Sequence, residues 1–99
     1  MLIVSIRDKR VKALVEDPNA GSVKGFSAEE VRKVSAMVAA IQVMTHPLQL
    51  RAVDAWKAHE LVPGHPGKWS LKVTPNYRLT FYVDLKEQEV SILDYEDYH

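Results

Sequence analysis

Ninety-nine residues, 46% of them hydrophobic, suffice for one compact domain with a single core and leave no room for a second, so residues 1–99 read as one domain. The absence of cysteine excludes a disulfide scaffold, a zinc–thiolate centre and a thiol nucleophile, and agrees with a reducing cytoplasm as the location. Because 13 Lys+Arg balance 13 Asp+Glu, no global positive charge argues for a nucleic-acid partner, and any basic surface must be local.

The chain opens with the β-branched run LIVSI, residues 2–6, too short for a signal-peptide core and followed at once by Arg7, Asp8, Lys9 and Arg10. It reads as a strand. No apolar run approaches bilayer length, so no membrane partner is expected. In the charged segment behind it Val11, Leu14 and Val15 fall at helical spacing and predict a short helix. The cations Arg7, Lys9, Arg10 and Lys12, like the acids that dominate from Asp84 onward, read as solvated faces.

DPNAGSVKG, residues 17–25, is a loop by its turn formers. Phe26 then precedes Ser27-Ala28-Glu29-Glu30, the pattern of a capping box with Phe26 placed for a hydrophobic staple. A helix starts there: Val31, Val34, Val38 and Ile41 continue at steps of three and four until Pro47 stops the pattern, with Met37 and Met44 widening the stripe as core filler. Residues 47–67 leave two readings open, a weak helix over LQLRAVDAWKAHEL or an irregular crossing segment, ending in the loop VPGHPG.

Three alternating runs follow. Trp69, Leu71 and Val73 alternate with Ser70 and Lys72; Tyr77, Leu79, Phe81 and Val83 alternate with Arg78, Thr80 and Tyr82; Val90 to Tyr95 forms the last. The order is that of an α+β fold, with the N-terminal strand and helices packed on one face of a small antiparallel sheet that ends in a three-strand meander. If Leu79 and Phe81 face the helices, Arg78, Thr80, Tyr82, Lys68, Ser70 and Lys72 project from the opposite, open face. Such a face can seat a phosphate backbone with a base stacked on an aromatic ring. Taken alone, however, these residues favour an ordinary solvated sheet face.

Four ordered elements carry more information: His59 ten residues before Trp69, the strand Gly67-Lys68-Trp69-Ser70-Leu71-Lys72-Val73, the strand Asn76-Tyr77-Arg78-Leu79-Thr80-Phe81, and the terminal Asp97-Tyr98-His99. Together they resemble the HigB toxins of the RelE-like superfamily, also called plasmid-maintenance killer proteins. The match is specific over residues 59–99 and architectural over residues 1–58. The resemblance implies a bacterial endoribonuclease that cuts messenger RNA on the translating ribosome. Its implied partner is a helix-turn-helix antitoxin of the HigA type, with operator DNA reached only through that antitoxin.

The resemblance gives each residue a role. RNA carries its own nucleophile, the ribose 2′-hydroxyl, so neither a serine or cysteine nor a metal or other cofactor is required. What is needed is a base for that hydroxyl, stabilisation of the phosphorane, and an acid for the leaving 5′-oxygen. By similarity His59 and His99 are the acid–base pair, imidazole being suited to both tasks near neutral pH. Arg78 would neutralise the phosphorane, Asp97 would orient or tune an imidazole, and Tyr98 would stack on a base or donate its hydroxyl. Independently of the resemblance, Lys68, Lys72 and Tyr82 on the sheet face, with Lys57 and a protonated His65 as compensating cations, would hold the RNA.

Each of these residues also has a structural reading: Arg78 as a strand cross-link, Asp97 as a solvated charge, Tyr98 as a core aromatic, His59 as a surface histidine. The set is what favours the ribonuclease. A tail closing the last strand would bring His99 to the rim of the open face. Two departures stand out. Val62-Pro63-Gly64-His65-Pro66 replaces the lysines and arginines usual in relatives, and the neutral total charge implies weaker, less salt-dependent docking. The alternative is a non-nucleolytic interaction protein on the same fold, either a gyrase inhibitor, against which the histidines argue, or an antitoxin-binding co-repressor.

Overall fold

The helices begin where side chains satisfy backbone amides. In the computed structural model, which describes residues 1–97, α1 spans Lys9–Glu16 and α2 Ala28–Val43. Asp8 caps α1, its Oδ1 accepting from the amides of Arg10 and Val11 at 2.8 and 3.1 Å. The expected capping box opens α2: the Glu30 amide donates to Ser27 Oγ at 3.1 Å and the Ser27 amide to Glu30 Oε1 at 3.0 Å. The predicted stripe of Val31, Val34, Met37, Val38 and Ile41 is buried and packs with Val11 and Leu14 of α1 in one core. At the far end of α2 the Met1 ammonium donates to the carbonyls of Ile41, Gln42 and Met44, groups the helix itself leaves unpaired.

The strands are β1 (Leu2–Ile3), β2 (His59–Glu60), β3 (Lys68–Lys72), β4 (Tyr77–Asp84) and β5 (Glu89–Asp97), in the spatial order β1-β5-β4-β3-β2. Strands β2 to β5 pair antiparallel, as the alternation predicts, but β1 runs parallel to β5, so the sheet is mixed rather than antiparallel. The first strand is also shorter than residues 2–6. Between the pairs Thr80↔Asp94 and Tyr82↔Ser91, Phe81 of β4 faces both Ile92 and Leu93 of β5, a bulge. The bulge places Ile92 at φ 52° and interrupts the ladder to β1, which resumes as a single bridge at Ile6↔Leu93. Ser5 closes the gap, its hydroxyl accepting from the Ile92 amide at 2.8 Å and its carbonyl from the Leu93 amide at 3.1 Å.

Residues 47–67 follow the irregular reading. Two 3₁₀ turns, Pro47–Ala52 and Asp54–Trp56, lead into β2. The first is capped by His46, whose Nδ1 accepts from the Leu48 amide at 3.1 Å, and is anchored by fully buried Leu50. The loop between β2 and β3 folds back on itself. The His65 amide donates to the Leu61 carbonyl at 2.7 Å, the Lys68 amide to the His65 carbonyl at 3.0 Å, and the Gly67 amide to Glu60 Oε2 at 2.8 Å. Gly67 stands at φ 84°, which a residue with a Cβ rarely adopts. Among the described residues no helix is long and apolar enough to cross a membrane.

Phe26 finds a partner beyond its own helix. Its ring meets Tyr95 edge-on at 4.9 Å, Tyr95 stacks on Tyr77 at 5.1 Å, and the Arg10 guanidinium lies over both Phe26 and Tyr95. The Tyr95 hydroxyl donates to Glu30, so the capping residue of α2 also ties the helix to β5. Burial pushes the Glu30 carboxyl up, but the Ser27 amide and the Tyr95 hydroxyl outweigh it and hold the group below its ordinary value. Asp8 is likewise held down against burial by Arg10 and the α1 amides. Carboxyls depressed by folding contribute stability that is present above their unfolded values and is lost as pH falls through the folded ones. Urea midpoints should therefore fall below pH 4.5, the ordinary glutamate value, and Glu30→Gln should flatten that acid limb relative to wild type.

Candidate functional site

Register assigns the faces of the sheet. Directly opposed residues share a face, and the pairs Lys68↔Tyr82, Ser70↔Thr80 and Lys72↔Arg78 put all six on the side away from Leu71, Leu79 and Phe81. The neighbouring strands extend these rows: His59 of β2 stands opposite Ser70, Asp94 of β5 opposite Thr80, and Glu96 opposite Arg78. One row therefore reads His59, Ser70, Thr80, Asp94, and the next Lys72, Arg78, Glu96.

This face is less open than its alternation predicts. Ser70 and Thr80 are 0% and 4% exposed, the Ser70 hydroxyl meeting the Arg78 guanidinium and the Thr80 hydroxyl the Glu96 carboxylate. What remains is a cleft of about 250 Å³, lined by Leu61 and His65 from the loop, Lys68 and Ser70 from β3, Arg78 and Thr80 from β4, and Glu96 and Asp97 from β5. Arg78 Nη1 donates to Ser70 Oγ at 3.4 Å. Glu96 Oε2 accepts from the Thr80 hydroxyl and pairs with Lys68 Nζ at 3.0 Å. Burial raises the Glu96 carboxyl, yet the Thr80 hydroxyl and Lys68 outweigh it, so the group is held below the usual glutamate value and is ionised at neutral pH. The Lys68 ammonium also lies 5.7 Å from the centre of the Tyr82 ring.

The predicted residues divide accordingly. His65, Lys68, Arg78 and Asp97 meet at the cleft, with Tyr82 beside Lys68 and half-buried Lys72 across from Arg78. By register Asp97 pairs with Tyr77 and borders the cleft from the end of its strand. His59 shares the row of Ser70 without lining the cleft, and its Nδ1 lies 2.8 Å from the Lys57 carbonyl. Because a carbonyl only accepts, Nδ1 carries the proton, and Nε2 of the neutral ring keeps its lone pair. Lys57 is not brought to the cleft; exposed and at φ 50°, it lines a separate depression with Arg51, Asp54 and Ala58. Tyr98, the predicted stacking residue, and His99, one member of the predicted acid–base pair, lie outside the described residues.

Sequence reasoning gave no role to Glu96, Ser70 or Thr80. The signal for Glu96 was its place in the last strand one step from Asp97, which puts it on the face of Arg78 once β4 and β5 pair. A larger hollow of about 600 Å³ lies between β1 and the end of α2. Its walls hold Met1, Leu2, Val43 and Glu87 but no histidine, lysine or arginine. Among the described residues no three His, Asp or Glu side chains group as metal ligands.

No family model matches the chain. It is 33% identical over 98 residues to Endoribonuclease HigB of Proteus vulgaris, an alignment that covers 99% of this chain and 100% of that protein. Its fold superimposes with a TM-score of 0.62 on a YoeB/ParE toxin from Agrobacterium tumefaciens, covering 100% of both chains at 13% identity, a level at which the fold alone is shared. The mixed sheet with helices on one face is thus the architecture of that toxin, and likeness over its full length to the Proteus protein is closer still. The chain belongs to the HigB family.

Proposed function

We propose that this protein is the toxin of a toxin–antitoxin pair and cuts messenger RNA in the ribosomal A site. Full-length likeness to a protein named Endoribonuclease HigB supports this reading. The observation that carries it is the cleft itself, in which Arg78, Lys68 and two buried hydroxyls face one space of about 250 Å³. A guanidinium and an ammonium lining one cleft suit the non-bridging oxygens of a phosphate.

The chemistry follows from the substrate. A base takes the proton of the ribose 2′-hydroxyl, the oxygen attacks the adjacent phosphorus, and the bond to the 5′-oxygen breaks as an acid protonates it. One fragment ends in a 2′,3′-cyclic phosphate and the other begins with a 5′-hydroxyl, and no water or metal enters the balance. Arg78 stabilises the charge that grows on the phosphorane. His59 and His99 are the acid–base pair in this reading, with the division between them open. A ring whose Nδ1–H is held by a backbone carbonyl, as that of His59 is, presents Nε2 for either task.

Asp97 orients an imidazole and Tyr98 stacks on a base, while His65, Lys68, Lys72, Tyr82 and Lys57 hold the strand and its ribosomal surroundings. The neutralising partner is an antitoxin of the helix-turn-helix HigA type, and the site of action is the cytoplasm. Inducing wild type, His59→Ala and His99→Ala in cells and mapping RNA 5′ ends on a translated message tests the reading. Cuts within codons for wild type and their loss in both variants are expected. Growth arrest of equal strength in all three, without cuts, would transfer the activity to a non-nucleolytic target such as gyrase.

A further inference from the structure

The ribonuclease reading leaves Glu96 without a task, although it lines the cleft beside Lys68, Arg78 and Thr80. Its Oε2 takes the Thr80 hydroxyl and, at 3.0 Å, the Lys68 ammonium, and its backbone stands opposite that of Arg78. A hydroxyl, an ammonium and a neighbouring guanidinium are the donors that would greet a phosphate oxygen. The carboxylate therefore holds, as an anion, the place an anionic substrate needs. The side chains of Lys68 and Glu96 are 17% and 39% exposed, so the pair is less screened than one in open solvent yet remains accessible to an incoming strand.

Resting on the ribonuclease reading, we propose that Glu96 is an intramolecular competitor for the RNA phosphate. It keeps Lys68 neutralised in the free protein and repels the backbone that must take its place. RNA gains the Lys68 contact only by loosening the ion pair, and the remaining carboxylate opposes the phosphate at contact distance. The residue thus lowers substrate affinity without touching the reacting atoms. A structural role, by contrast, would hold the end of β5 in place, and its loss would weaken folding and binding together.

The two roles give opposite signs for Glu96→Gln, which keeps an acceptor for the Thr80 hydroxyl and removes only the charge. The probe is a ribosome programmed with a message whose A-site codon is 2′-O-methylated and cannot be cut. Glu96→Gln should bind it about fivefold tighter than wild type, the scale of one unit charge at contact distance in water. The salt dependence should steepen by about 0.7 in slope as Lys68 becomes available to a phosphate of the single strand. Lys68→Ala should cost more affinity in the Glu96→Gln background than in wild type, and on a cleavable message KM should fall while kcat is kept.

Glu87→Gln, in the exposed turn between β4 and β5, removes the same charge away from the cleft and serves as the control. Unchanged or weaker binding by Glu96→Gln overturns the inference, as does equal tightening by both glutamine variants. Failure of the ribonuclease reading looks different: wild type, Glu96→Gln and Lys68→Ala would all neither bind nor cut, and the inference would fall with it.

Discussion

Arg78→Ala should lower the single-turnover rate of message cleavage by about 10²–10³-fold, the loss seen when one preorganised donor to a developing oxyanion is removed. Arg78 is half-buried on β4 between Lys72 and Glu96, and its Nη1 donates to Ser70, which is itself fully buried. A guanidinium held this way needs little reorganisation when charge builds on the phosphorane. Arg78→Lys should recover only a small part of the rate, because an ammonium keeps the charge but not the planar fork. Urea unfolding of both variants should remain cooperative, since the residue lies on the face away from the core. Wild-type cleavage by Arg78→Ala would show that the residue is a strand cross-link and nothing more.

Phe81→Ala should cost about 3–5 kcal/mol of folding free energy, a large part of what a domain of this size possesses. Phe81 is 0% exposed and sits where β5 bulges, opposite Ile92 and Leu93, with Trp69 paired to it across β3. Removing the ring leaves a void in the core beside the bulge that the β4–β5 ladder cannot close without losing its register. Denaturant midpoints measure the cost, and a loss below about 1 kcal/mol would mean that the bulge collapses onto the space.

How much of this was readable depends on whether the determinant is local. Ser27 and Glu30 specify a helix start through their own backbone, and the period-two alternation of Tyr77 to Val83 specifies both a strand and its faces, so both were legible. The partner of β1 was not. Residues 2–6 say strand, but only tertiary packing decides that they run parallel to β5, and only the bulge at Ile92 explains why the ladder stops after Ile3. The 3₁₀ turns after His46 escaped because a histidine cap carries no common sequence signal.

The site divides the same way. Arg78, Lys68 and Lys72 were placed on one face by alternation alone, and register bears that out. Lys57 was grouped with them by sign of charge, but a left-handed residue after the second 3₁₀ turn points it to a different hollow. Glu96 was read as one of many acids after Asp84; its place beside Asp97 fixes its face, but its partners at Thr80 and Lys68 emerge only once β3, β4 and β5 pair. The openness assigned to the face failed at Ser70 and Thr80 for a related reason: the Arg78 guanidinium and the Glu96 carboxylate that meet their hydroxyls come from neighbouring strands.

In the proposed reaction RNA supplies the nucleophile, the cleft around Arg78 supplies the charge, and His59 and His99 carry the proton transfers. Its most direct test is a message carrying one 2′-deoxynucleotide at the mapped cut site, presented on programmed ribosomes to the purified protein. This message should survive, while the all-ribose message yields a 2′,3′-cyclic phosphate and a 5′-hydroxyl end. Cleavage of the deoxy-substituted message at the same bond would contradict it, because the attacking oxygen would then come from outside the substrate.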